Sequence, residues 1–121
     1  MTLRYVLIAG AAVCIAPGLT LVVAPELIMA VYNLAFGPGG VLVGWALGAA
    51  LVSLAVLFLW AAAQNASTPL RGVVWAGFLY NGINTVVIVA TTLSGVLGLI
   101  GWAATVPHLL LALGFGYYLL R

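Results

Sequence analysis

Residues 41–63 read VLVGWALGAALVSLAVLFLWAAA, an uncharged run whose only hydrophilic side chain is Ser53. A helix over this run spans about 34 Å, enough to cross roughly 30 Å of hydrocarbon. Apolar on every side, it suits either the centre of a large protein or a bilayer. A chain of 121 residues is too small to enclose it, so lipid is its expected solvent.

The flanking sequence has the same character. Hydrophobic residues make up 67% of the chain and charged residues 3%, where a soluble domain carries about 25% charged. The mean hydropathy is +1.37. Length allows a single domain over 1–121, expected as an all-α polytopic bundle of four transmembrane helices over about 3–24, 41–63, 73–91 and 96–120. The first span is expected to kink at Pro17 and Gly18 and to end at Pro25. Arg4 followed by the apolar run 5–16 has the pattern of a secretory signal, and this segment is expected to be retained as part of that span. Between the first two spans, Leu27, Val31, Leu34 and Ala35 share one helical stripe and Glu26, Ala30 and Asn33 another. This predicts a short helix in the membrane interface, with Pro25 at its first position and Glu26 at the positive end of its dipole. Turns are expected at 37–40, in the hydrophilic loop 64–69 and at Ser94 and Gly95.

The few charges test this segmentation. Four spans put both termini and the second loop on one side, and Arg4, Arg71 and Arg121 fall there while Glu26 falls on the other. A three-span or five-span layout would split the arginines. The positive-inside rule then places both termini in the cytoplasm, in a cell inner membrane. Tyr5, Trp60, Trp75, Tyr117 and Tyr118 form the expected cytoplasmic aromatic belt, and Tyr32, Trp45 and Trp102 the opposite one. The net charge of +2 comes from scattered arginines and gives no nucleic-acid surface. Cys14, the single cysteine, excludes an intrachain disulfide and a cysteine-based metal cluster, and is expected to pack as a small apolar residue.

Three features carry functional expectations. Gly40, Gly44 and Gly48 repeat every fourth residue, a face for close helix approach, either to a neighbour in the same chain or to another subunit. Tyr80, Asn81 and Asn84 share a helix face in the third span. Asn84 lies about 18 Å from the cytoplasmic start of its helix and His108 about 20 Å from the cytoplasmic end of the fourth, so the two are expected at similar depth. His108 is flanked at four residues by Ala104 and Ala112, a spacing that resembles the tetrapyrrole site of antenna helices. A (bacterio)chlorophyll or haem is therefore one ligand to weigh, and lipid and quinone are others. With no carboxylate pair, no catalytic triad, no metal-ligand cluster and no phosphate loop, no enzyme is expected.

Size and span number resemble the small multidrug transporters, but that family carries a glutamate embedded in its first helix and here Glu26 follows Pro25. Ala24, Pro25 and Glu26, ending the first span, resemble the DoxX-like group of small four-helix bacterial inner-membrane proteins, and the span layout is similar across nearly the whole chain. That resemblance implies a membrane subunit associated with redox partners and carries over no catalytic residue. Two functions are expected from these features. One is a non-catalytic accessory subunit packing against other integral membrane subunits of a respiratory or photosynthetic complex. The alternative is a carrier or binding protein for an apolar ligand, using Tyr80, Asn81, Asn84 and His108.

Overall fold

The computed structural model describes residues 2–32, 35, 37–64 and 68–120. Met1, Asn33, Leu34, Phe36, residues 65–67 and Arg121 lie outside them, and with them part of the expected interfacial stripes, the middle of the hydrophilic loop and the C-terminal arginine. Five helices succeed one another: α1 (Leu3–Val23), α2 (Pro25–Tyr32), α3 (Pro38–Ala62), α4 (Thr68–Leu93) and α5 (Gly98–Leu119). Among the described residues there is no strand. Helices α1, α3, α4 and α5 are each long and apolar enough to cross a membrane. The protein is thus an all-α bundle of four membrane-length helices with one short helix between the first two.

Pro17, the expected kink site, lies within the continuous helix α1, and Gly18 beside it faces Leu51 and Val52 of α3. Two helix starts differ from expectation. Helix α3 begins at Pro38, inside the turn expected at 37–40. Helix α4 starts at Thr68 rather than at 73, because Thr-Pro is a favourable helix opening: proline in the first turn sacrifices only an N–H that has no helical partner. Its other end closes as expected at Gly95. There the Gly95 N–H donates to the Thr92 carbonyl and the Val96 N–H to the Thr91 carbonyl, both at 3.0 Å, with Gly95 at φ +80. This is a Schellman ending, and its left-handed residue requires glycine.

The helices associate as two tight pairs, α1 with α3 and α4 with α5, with sparser contact between pairs. Glycine explains the tightness. A Cβ built on Gly48 of α3 would stand 2.8 Å from the Gly18 carbonyl oxygen and 2.9 Å from Leu21 Cβ, so the backbones of α1 and α3 touch. In α4, a Cβ on Gly77 would stand 2.7 Å from the ring of Phe115 on α5. Phe115 also joins the pairs. Its ring lies 5.4 Å from that of Phe58 on α3, both are fully buried, and Gly10 of α1 faces the two rings. Gly10, Phe58, Gly77 and Phe115 therefore form one layer drawn from all four long helices.

That layer also fixes the topology. Residue 10 is near the start of α1, 58 near the end of α3, 77 in the first half of α4 and 115 near the end of α5. The helices run up, down, up and down, so the start of α1, the end of α3, the start of α4 and the end of α5 share one end of the bundle. Exposed Tyr5, Trp60, Trp75 and Tyr117 lie toward this end and exposed Trp45 and Trp102 toward the other. Between these levels the outer surface is apolar, with Leu19, Leu42, Val56, Ile83, Val86 and Leu110 among its exposed residues. Water would make such a surface aggregate, whereas lipid solvates it. Arg4, Arg71 and Glu26 are all exposed.

The packing role of Gly77 separates from the intrinsic effect of glycine by comparison with Gly82 on the same helix, where a Cβ meets nothing within 4 Å. Gly77→Ala is expected to destabilise the folded protein by about 1–3 kcal/mol. Gly82→Ala is expected to be neutral or stabilising by up to about 1 kcal/mol. Reversible unfolding in mixed detergent micelles measures both.

Candidate ligand-binding cleft

Most of the polarity of α4 is consumed within α4. Asn81 Nδ2 donates to the Gly77 carbonyl at 2.9 Å, Asn84 Nδ2 to the Tyr80 carbonyl at 2.8 Å, and Thr85 Oγ1 to the Asn81 carbonyl at 2.8 Å. Thr91 and Thr92 likewise bond back to Val87 and Ile88. Such i to i−4 bonds let polar side chains sit in hydrocarbon without a partner helix.

A side-chain bond also crosses between helices. His108 Nδ1 lies 2.9 Å from Asn81 Oδ1, joining α5 to α4, and Asn81 is only 1% exposed. The sequence points to Asn84 at the depth of His108, and the structure pairs Asn81 instead. The reason is the earlier start of α4. Measured from Thr68, Asn81 lies about 20 Å along its helix and Asn84 about 24 Å, whereas His108 lies about 17 Å from the end of α5. Asn81 is the closer match. The bond also settles the tautomer. Asn81 has its amide nitrogen on the Gly77 carbonyl, so its Oδ1 can only accept, and Nδ1 of His108 must carry the proton.

His108 borders a half-open cleft of about 330 Å³ lined by residues of all five helices. Val13, Pro17 and Leu21 come from α1, Ile28 and Tyr32 from α2, and Leu47 and Leu51 from α3. Tyr80, Asn84 and Ile88 come from α4, His108 from α5, and Leu97 from the turn before it. The cleft exists because the two helix pairs are tight within themselves and loose against each other. It begins at mid-depth, where Tyr80, Asn84 and His108 gather, and reaches the end covered by α2. The Tyr80 and His108 rings meet edge-on with centroids 6.0 Å apart. Tyr80, Asn84 and His108 thus share one space, with Asn81 behind His108 as the group that orients it. A larger hollow of about 480 Å³ lies between α4 and α5, bordered by Trp75, Phe78, Leu113, Gly116, Tyr117 and Leu120 among others. Lacking a cluster of polar side chains, it offers a ligand little orientation.

The remaining sequence expectations fall away from the cleft. Gly44 and Gly48 are buried, Gly48 against α1, and Gly40 is half-buried in the first turn of α3. The glycine face therefore packs within the chain at Gly48. Cys14 is buried in the core, as expected. Ala104 and Ala112 do not border the cleft, and Ala112 is buried and faces the other hollow. The small residues expected to leave room for a flat tetrapyrrole thus do not line the space that His108 borders, and they do not fit that group. Among the described residues no cluster of three or more His, Cys, Asp or Glu side chains could hold a metal ion.

Sequence reasoning missed Tyr32, assigned to an aromatic belt but found in the cleft. A usable signal was its i, i+4 spacing from Ile28, since the two lie on the same face of α2. Leu27 and Val31 point outward from that helix, while Pro25 and Met29 are buried. Pro17 is a second missed residue. It has no N–H to give the Val13 carbonyl, and both residues border the cleft.

No family model, curated protein or solved structure matches this chain.

If the Asn81–His108 bond ties α4 to α5, a double-mutant cycle with Asn81→Ala and His108→Ala should return a coupling of about 0.6 kcal/mol, below about 2 kcal/mol. A cycle pairing Asn84→Ala with His108→Ala should return close to zero.

Proposed function

We propose that this protein is a non-catalytic membrane protein that binds an apolar molecule bearing a polar end. The supporting observation is the cleft: a space of about 330 Å³ among membrane-length helices, apolar over most of its wall, with Tyr80, Asn84 and His108 together at its inner end. That combination of an apolar wall and a few convergent polar groups is the usual make-up of a small-molecule site. The ligand's apolar body lies along Leu21, Leu47 and Leu51, and its polar end meets the mid-membrane cluster. Tyr32 and α2 cover the outer end. Lipids and quinones belong to the class of molecules with this shape.

A second reading, an accessory subunit of a larger membrane complex, draws on the hollow between α4 and α5. That groove faces outward, and Phe78, Leu113 and Gly116 would accept an apolar helix. Migration as a single chain in mild detergent counts against this reading, and a constant co-purifying membrane protein supports it.

The orientation belongs to the same proposal. With Arg4 and Arg71 at one end and Glu26 at the other, both termini face the cytoplasm of a bacterial inner membrane. Single cysteines placed at Thr2 and Gly72, in a Cys14→Ala background, are expected to resist an impermeant thiol reagent in intact cells and to react after lysis.

For the cleft, extraction and mass spectrometry of the purified protein should find an apolar compound at up to one per chain. Leu47→Trp fills the cleft from a half-exposed position. This variant is expected to fold with an unchanged helical spectrum and to lose at least nine-tenths of the bound compound. Equal retention by the variant removes the cleft as the binding site.

A further inference from the structure

The cleft's chemistry narrows its ligand further, an inference that rests on the binding role proposed above. His108 is the only histidine, and its Nδ1 proton is committed to Asn81 Oδ1 at 2.9 Å. In a hydrocarbon setting the imidazole carries one proton, so Nε2 bears a lone pair and can only accept. Among the described residues no buried side-chain nitrogen or oxygen lacks a partner. Nε2 has no partner of its own among them, so it reaches accessible space, and the space that His108 borders is the cleft.

Asn84 adds acceptor capacity there, since one of its amide hydrogens lies on the Tyr80 carbonyl and its Oδ1 is unused. A carbonyl or ether head would set lone pair against lone pair at Nε2. A hydroxyl head donates to Nε2 and still accepts from the Tyr80 hydroxyl or the second Asn84 amide hydrogen.

We infer that the cleft selects apolar molecules whose polar end is a hydroxyl, with His108 Nε2 as the obligatory acceptor and Asn81 as the positioning residue that fixes its tautomer. A long-chain alcohol and a hydroquinone share this chemistry.

The test uses the full chain in lipid nanodiscs with four probes: farnesol, its O-methyl ether, an isoprenyl benzohydroquinone and the corresponding quinone. Farnesol is expected to bind about tenfold more tightly than its ether, and the hydroquinone about tenfold more tightly than the quinone, the difference of one buried hydrogen bond. Whichever hydroxylated probe binds better identifies the source class. With ¹⁵N-histidine, the single residue should show a protonated Nδ1 and an unprotonated Nε2, and only hydroxylated probes should shift Nε2. Asn81→Leu is expected to mix the tautomers and reduce the alcohol-over-ether ratio to about threefold or less, with ether binding unchanged. His108→Leu should abolish the ratio. If alcohol and ether bind equally well to the unaltered protein, or if Nε2 carries the proton, the hydroxyl inference is wrong while the cleft remains a binding site. If no probe binds, or if Leu47→Trp leaves binding intact, the binding role itself fails.

Discussion

The structure depends on how closely helices approach where there is no water to drive them together. Lipid solvates leucine as well as another helix does, so association in a membrane comes from dispersion contacts, and these fall away steeply with distance. The contacts of Gly48 with the Gly18 carbonyl and of Gly77 with the Phe115 ring answer that constraint. Each lets a backbone come near enough for many weak contacts to accumulate. Phe58 and Phe115 fill the space where the two pairs meet, and Gly10 makes room for them. On the α2 side of this layer the seam between the pairs holds the cleft. Packing and cavity thus have one origin: glycine concentrates the contacts within pairs and leaves the seam between pairs incompletely filled.

The same constraint explains the treatment of polar groups. An unpaired amide in hydrocarbon costs several kcal/mol, so asparagine and threonine in α4 bond first to their own helix. What remains after those bonds has a definite character. Asn81 spends a donor on Gly77 and keeps an acceptor for His108, which in turn spends its donor on Asn81 and keeps its other ring nitrogen as an acceptor. The chain of bonds runs from a backbone carbonyl to a ring nitrogen without a charge, and each step fixes the polarity of the next.

Much of this was legible in the sequence, and the parts that were not have physical causes. Residues 41–63 and the placement of Arg4, Arg71 and Glu26 sufficed for four helices and their alternation, because hydrocarbon thickness and charge exclusion act on each segment separately. The glycine spacing announced close approach but not its partner, since a groove looks the same whichever helix fills it. Tyr80, Asn84 and His108 were recognisable as a mid-membrane group because polar residues are scarce there. Their exact pairing was not, because depth counted from a helix start at 73 misses the turn that Thr68 and Pro69 add, and a shift of that size exchanges Asn84 for Asn81. The cleft itself left little trace. Its walls are leucine, isoleucine and valine, and a residue bordering a void is the same residue that borders a neighbour.

Absence of charge in the spans bears on what such a cleft can do. Moving one elementary charge across the membrane field involves about 2.3 kcal/mol per 100 mV, and an ionised group at mid-depth needs a partner or water. Arg4 and Arg71 sit in the first turns of α1 and α4, and at mid-depth the only ionisable imidazole, amine or carboxyl is the His108 ring, which is held by a neutral amide. A site of this composition suits an uncharged ligand, whose entry neither couples to the membrane potential nor requires a counter-ion. Selectivity must then come from shape and from the direction of hydrogen bonds, the two properties that the leucine wall and the fixed imidazole supply. Under the proposed binding role, the Asn81–His108 bond that joins α4 to α5 is also the bond that orients the acceptor, so that helix contact and recognition chemistry stand on the same pair of atoms.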